Sequence, residues 1–325
     1  MKKCFWVFLL FIFVFTACGA TSNEYSSIEA IDKYLSSATG GGIVNDPLLI
    51  KVNMDLQNML ENDSRWKQLL RIINKHGKYI ALDLSNCKMF NTEFNPDPNF
   101  EDGKKYIVLI VLPKITKSIT ETKVDNRGRA SAFKYFENIE NVVIPEGVEY
   151  IDDFMFEKFT NLKSISIPAS VIDIGRFAFS NCTSLEKVII AEGSELEIID
   201  DLAFYQCTSL KSIMLPSGLL YIGVTAFSGS GLENIIIPEN VKVIEQQAFG
   251  YCSNLTNVTI LATEPPEMGE DVFSVFNMHT STSRGMTGSF VTIPALRVIY
   301  VPADSVNSYK SAKNWNAYSD IILAK

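Results

Sequence analysis

Two histidines, His76 and His279, are the whole imidazole content of a chain of 325 residues, so metal or general-base chemistry would have to be built on one of them. Neither has a second histidine at zinc-ligand spacing, and no His-Glu-x-x-His stretch occurs. His76 closes an amphipathic run, SRWKQLLRIINKHG, where a cation at a helix C-terminus is favourable; His279 falls in a polar segment. Gly40-Gly41-Gly42 has the composition of a phosphate cradle, yet no Lys-Ser or Lys-Thr pair follows and no helix starts after it, so it reads as a helix stop or linker. Asp152-Asp153 and Asp200-Asp201 offer carboxylates, but too few oxygens at loop spacing to hold calcium, and they read as solvated turn charges. The expectation is a chain with no catalytic residues, no metal and no cofactor. An enzyme with an unrecognised site in residues 24–104 is the weakest alternative.

Cysteine chemistry divides by position. In MKKCFWVFLLFIFVFTACGA, Lys2 and Lys3 precede an apolar run from Phe5 to Phe15. At about 11 residues that run is too short to span a hydrocarbon core of about 30 Å, and it fits the apolar region of a signal peptide. Phe15-Thr16-Ala17-Cys18-Gly19 resembles the bacterial lipobox, which implies that Cys18 is lipidated and becomes the mature N-terminus; the other reading is an ordinary secretory signal with a cysteine nearby. Residues 1–17 are then a lipoprotein signal peptide and 18–27 a tether, whose nine residues after Cys18 reach about 30 Å at roughly 3.3 Å each. Net charge is −8 with a pI near 5.0, and loss of Lys2 and Lys3 takes it to −10. No broad basic field exists to attract nucleic acid.

Stepping along the chain, one unit recurs. It reads IENVVIPEGVEYIDDFMFEKFTN (139–161), LKSISIPASVIDIGRFAFSNCTS (162–184), LEKVIIAEGSELEIIDDLAFYQCTS (185–209), LKSIMLPSGLLYIGVTAFSGSG (210–231) and LENIIIPENVKVIEQQAFGYCSN (232–254), with lengths 23, 23, 25, 22 and 23. A fixed period of this size predicts a solenoid, because a single unit cannot cover its own apolar face. Leu162, Ile165 and Ile167 recur as Leu-x-x-Ile-x-Ile, inward residues that alternate with an outward one as a short strand, and Pro168, which has no N–H to donate, ends it. Val171 and Ile174 make a second inward pair, with Gly175 where the backbone turns. Ala178 and Phe179 supply a small residue and one ring per rung; Phe133, Phe156, Phe179, Phe204, Phe227 and Phe249 are expected to stack as a column. Cys182, Cys207 and Cys252 share one position, which elsewhere holds Phe136, Phe159 and Ser230. That variety predicts buried packing by free thiols; a disulfide between neighbouring rungs is the alternative, and Cys87 is left undecided.

These units resemble the BspA-like leucine-rich repeat proteins, bacterial surface lipoproteins of Treponema and Bacteroides type, over roughly residues 105–305. The resemblance implies a β-rich, right-handed solenoid of about 23 residues per unit, and adhesion to host extracellular-matrix proteins or other bacteria. Leu296, Ile299 and Val301 repeat the strand, and Val306 to Trp315 are expected to form a short helix in a C-terminal cap, 306–325. Residues 28–104 read as strand, helix, strand, a small α/β N-terminal cap. TETKVDNRGRAS and MHTSTSRGMTGSF are expected to be surface loops.

The outward residue between the last two inward ones is Val111, Val143, Ser166, Ile189, Met214, Ile236, Thr259 and Tyr300. Six of these eight are apolar where a solenoid meets water. Ordinary β propensity accounts for such a row; so does an apolar stripe that binds protein. On the second reading Val143, Ser166, Ile189, Met214, Ile236, Thr259 and Tyr300 contact a protein ligand, on a monomer held at the outer membrane and exposed at the cell surface. An envelope or periplasmic scaffold is the alternative.

Overall fold

The computed structural model describes residues 24–97, 99–119, 133–282 and 285–325, apart from the side chains of 277–288. Cys18 and the whole TETKVDNRGRAS insertion, expected to be a surface loop, lie outside the described residues. What is described is a β-rich repeat solenoid whose rungs each have three sides.

The first side carries the longer strands, all parallel. One sheet runs through Glu24–Tyr25, Leu48–Val52, Ile80–Asp83, Ile107–Val111, Asn141–Val143, Ser164–Ile167 and Lys187–Ile190, and a second through Asn234–Ile237, Asn257–Ile260, Val298–Val301 and Ile322–Ala324. Inward residues are buried as the alternation predicts: Leu162, Ile165 and Ile167 are at most 1% exposed. The proline at the strand end has a measurable effect on the ladder. Where alanine or leucine replaces it, the ladder gains a bond, from the Ala191 N–H to the Ile167 carbonyl and from the Leu261 N–H to the Ile237 carbonyl, each at 3.0 Å.

The second side is a ladder of two-residue strands in unbroken register, Ile151, Ile174, Ile199, Ile222, Ile244 and Met268 facing in. Gly175 and Gly223 follow it, and their role differs from the turn expected. Neither has a positive φ; a Cβ on Gly175 would sit 2.9 Å from the Ile151 carbonyl oxygen, and one on Gly223 2.6 Å from the Asp201 nitrogen. Close approach of the rung below, not turning, excludes a side chain.

The third side holds the phenylalanines. Centroid separations along Phe133, Phe156, Phe179, Phe204, Phe227 and Phe249 are 5.1–5.3 Å. That exceeds the strand spacing of about 4.8 Å, so the rings stack with an offset, the arrangement their quadrupoles favour. Phe94 and Phe273 extend the column at its two ends. The backbone here is a second ladder: the N–H groups of Phe177, Phe179 and Asn181 reach the carbonyls of Asp201, Ala203 and Tyr205 in the next rung at 2.7–3.0 Å. To aim them so, the residues two before and two after each ring take left-handed φ, among them Phe177 (57°), Asn181 (61°), Leu202 (55°), Gln206 (58°) and Thr225 (52°).

The N-terminal strands continue the long-strand sheet through two strand–helix–strand crossovers. Helix α1, Ile28–Ser37, is capped by Ser27 and ends before the glycines, with Ser36 and Ser37 hydroxyls bonded back to the Lys33 carbonyl. Helix α2, Arg65–His76, starts at Ser64 and stops at left-handed Gly77. Lys104, fully buried under Phe136, ties this cap to the first rung through its bond to the Asp97 carbonyl at 2.6 Å, and Lys67 pairs with the Asp97 carboxylate at 2.7 Å.

Two expectations are corrected. Apart from Ser283 and Arg284, which lie outside the described residues, the MHTSTSRGMTGSF segment, read as a loop, lies in two antiparallel strands, Ser274–Thr282 and Gly285–Thr292, in which the β-formers Val275 and Phe276 pair with Val291 and Phe290. The closing segment is not one helix over Val306–Trp315. Helix α3 spans only Val306–Ser311; left-handed Asn314 (φ 65°) then turns Trp315 inward, a 3-10 turn covers Trp315–Ile321, and Ile322–Ala324 adds a last strand.

The break between the two long-strand sheets falls at the rung of Met214. Among the described residues, 211–215 pair with neither neighbour except where the Glu233 N–H meets the Lys211 carbonyl at 3.0 Å.

Candidate functional site

The outward row of the long-strand side can now be placed by register. Asp83, Val111, Val143, Ser166 and Ile189 are direct partners across successive strands; Ile236, Thr259, Tyr300 and Leu323 are partners beyond the break. Parallel pairing stacks these side chains about 4.8 Å apart on one face. Met214 sits between the two sets in sequence phase.

Exposure along the row is uneven. Val111, expected to face water, is 4% exposed: it packs with Ala81 and Leu109 into a separate apolar cluster that Leu49 and Val143 flank. Side-to-side contact on the same sheet face takes it out of the candidate surface. Val143, Ser166, Ile189, Thr259 and Tyr300 are half-buried. Met214 and Ile236 stand out at 86% and 54%. Leu323, 50% exposed, extends the row beyond Tyr300, a position hidden from the sequence because nothing in IILAK marks a further rung.

Polar rows border this stripe. The next outward position toward the strand start carries amide ladders, Asn257 to Asn234 and Ser164 to Asn141, each 2.7 Å. Beyond it Lys163 pairs with Glu140 and Lys211 with Glu233. These two pairs neutralise part of the border, and the most exposed side chains of the row itself are the apolar Met214, Ile236 and Leu323.

The aspartate pairs are not free turn charges. Asp153 Oδ1 accepts the Arg176 N–H at 2.7 Å and Asp201 Oδ1 the Val224 N–H at 2.8 Å, each reaching over the glycine of the following rung. Between them lies Asp173, whose Oδ1 is buried without a hydrogen-bond partner. Desolvation, with Asp200, Asp153 and Asp152 nearby, lifts its carboxyl to about 6, and burial lifts Asp152 and Asp200 as well. A folded pKa above the unfolded value means the fold binds the proton more readily, so this penalty is fully present above about pH 6 and is relieved as pH falls toward 4. Asp173→Asn is therefore expected to raise the melting temperature by about 2–4 °C at pH 7.5. That corresponds to roughly 1 kcal/mol, discounted for the part of the side chain still in water. The gain should shrink between pH 6 and 4, which thermal scans across that range measure.

Cys87, Cys182, Cys207 and Cys252 are buried free thiols. Three donate to the ring-bearing residue of an earlier rung: Cys182 Sγ to the Phe156 carbonyl (3.1 Å), Cys207 to Phe179 (3.2 Å) and Cys252 to Phe227 (3.1 Å). Burial pushes Cys182 up to about 12, far from thiolate reactivity. His76 Nε2 meets Asp32 at 2.6 Å and so joins α1 to α2. The side chain of His279 is outside the described set. Among the described residues no three His, Cys, Asp or Glu are grouped to hold a metal ion, and no helix is long and apolar enough to cross a membrane.

The family model for the BspA type leucine rich repeat region matches in six copies, over residues 128–256 and 192–285. No curated protein matches the chain. Among solved structures, a leucine rich repeat protein of T. pallidum is similar at 24% identity, covering 56% of this chain and 78% of its own, with a TM-score of 0.37. A leucine-rich repeat protein from Bacteroides ovatus is similar at 21%, covering 62% and 57%, with 0.33. A leucine rich cell surface protein from Faecalibacterium prausnitzii is similar at 17%, covering 72% and 82%, with 0.34.

Proposed function

The chain is a BspA-like leucine-rich repeat protein, and from that premise we propose that it is a non-catalytic, lipid-anchored surface protein whose long-strand face binds other proteins in adhesion. The observation that carries this reading is the apolar row, in register within each sheet, with Met214 between the sheets and Ile236 as its most exposed members. Val143, Ser166, Ile189, Thr259, Tyr300 and Leu323 complete the contact row. Cys18 supplies the anchor, and the acyl chains give about 0.8 kcal/mol per buried methylene. The ligand class is a host extracellular-matrix protein or a surface protein of another bacterium; repeat architecture alone does not choose between them.

The test is a binding screen of the lipid-free chain beginning after Cys18 against matrix glycoproteins, run beside Met214→Asp with Ile236→Asp. Loss of at least about 30-fold in affinity is expected for the double variant, the size of a contact hot spot. Its melting temperature should stay within about 2 °C, since exposed substitutions shift stability little. A double variant that unfolds, or binds as the parent does, removes this face from the function. Protease treatment of intact cells separates a surface adhesin, which is cleaved, from an inward-facing scaffold, which is not.

A further inference from the structure

The long-strand face is interrupted at one rung while the other two sides of the solenoid are not. Across the gap the second side keeps its register from Ile199 through Ile222 to Ile244, and the rings of Phe204, Phe227 and Phe249 stack at 5.2 and 5.3 Å with interplanar angles of 7° and 1°. On the long-strand side, residues 211–215 belong to no strand, and the sheets end at Lys187–Ile190 and resume at Asn234–Ile237. Inward packing loosens in step: Val188, Ile213 and Leu215 are 7–8% exposed, against 0–2% for Ile165, Ile167, Ile235 and Ile237.

The unit lengths explain why the break falls here. The rung before has 25 residues and the rung after the gap is entered from a unit of 22. The two extra residues fall within the Glu192-Gly193-Ser194 corner, with Gly193 at φ 77°, one residue past the strand Lys187–Ile190. The missing residue shortens the Ser230-Gly231 corner, where a Cβ on Gly231 would fall 2.2 Å from the Thr208 carbonyl oxygen. The Met214 rung is thus held between one corner that is too long and one that is too short, and its strand cannot match both neighbours at once.

We propose that the long-strand face consists of two rigid half-sites, the strands Asn141–Val143 to Lys187–Ile190 and Asn234–Ile237 to Ile322–Ala324, joined by a compliant rung that carries Met214. The solenoid bends by opening and closing this side while the phenylalanine column and the short-strand ladder act as the pivot. A protein ligand spanning both halves then sets the angle between them, which makes the curvature of the surface a property of the complex; this last step rests on the binding role proposed for the row.

Hydrogen exchange on the ligand-free lipid-free chain tests the rung itself, independently of any partner. The amides of Ser212, Ile213, Met214 and Leu215 should exchange at least about 100-fold faster than those of Ser164–Ile167 and Asn257–Ile260, strands paired on both sides, since no ladder protects them. Protection equal to those paired strands overturns the proposal. A length-corrected chain, lacking Gly193 and Ser194 and carrying one threonine inserted after Ser230, should restore protection across 212–215. If it folds and those amides still exchange fast, the length mismatch is not the cause and the proposal fails in that part. With a ligand from the screen in hand, slowed exchange at 212–215 is expected on binding, and unchanged exchange in a bound complex overturns the two-half-site reading while leaving the binding face intact.

Discussion

Phe204→Ala is expected to lower the stability of the solenoid by about 3–5 kcal/mol, the usual result of removing a buried ring from a packed core. Phe204 is fully buried and stacks on Phe179 at 5.1 Å and Phe227 at 5.2 Å, both at 7°. Its loss leaves a cavity bounded by two rings that backbone ladders hold in place on either side, so the walls cannot collapse to fill it. Urea unfolding measures the effect as a fall in midpoint. Phe204→Leu separates two contributions: most of the apolar volume returns, but both ring contacts are gone, so about 1–3 kcal/mol should remain lost, at 0.5–1.5 for each aromatic pair. Equal stability for the leucine variant and the parent would show that ring geometry contributes nothing beyond volume. Because repeats interact mainly with their neighbours, the alanine variant should also split the transition, with rungs on either side of residue 204 unfolding at different denaturant concentrations.

That effect was foreseeable because the column can be read from the chain. The Ala-Phe pairs at a constant period state both the ring and the small residue beside it, and Ala178, Ala203, Ala226 and Ala248 are all buried at 0%. Strand alternation and the terminating proline are equally visible. Other features have no local signal. The left-handed conformations at Phe177, Leu202 and Thr225 fall on residues that avoid them, and a β-branched threonine is an unlikely choice on intrinsic grounds. They are imposed by ladders between rungs, bonds whose partners lie more than twenty residues away. The same holds at Gly175, where the sequence shows a glycine but the carbonyl that excludes a Cβ belongs to another rung. At the candidate face the row of residues was legible from period 2, yet its exposure was not. Val111 is buried by neighbours on its own face, and Met214 owes its 86% exposure to a rung displaced by unit lengths that look like minor variation.

The C-terminal end of the solenoid poses the complementary problem, since a ladder that donates forward from every rung leaves donors with no next rung. Phe249 donates to the Val272 carbonyl at 3.1 Å, and Phe273, in the equivalent place one rung on, donates to Tyr318 Oη at 3.1 Å. Tyr318 Oη also lies 3.2 Å from Ser274 Oγ, and its ring meets Phe273 edge-on at 5.5 Å. Trp315 covers the rest of that ring and fixes itself through Nε1 to the Pro266 carbonyl at 2.8 Å. The cap thus ends both the hydrogen-bond ladder and the aromatic column. Tyr318→Phe keeps the ring and removes the acceptor, which orphans a buried N–H; a loss of about 1–3 kcal/mol is expected. Trp315→Ala opens the last apolar face and should cost about 3–5 kcal/mol, with the 3-10 turn Trp315–Ile321 and the strand Ile322–Ala324 released first. Hydrogen exchange resolves the order. In Trp315→Ala the amides of Val298–Val301 should lose protection before those of Ser164–Ile167, because unfolding propagates inward from an uncapped end. Uniform loss along the chain would show instead that the rungs unfold as one unit and that the cap protects no end in particular.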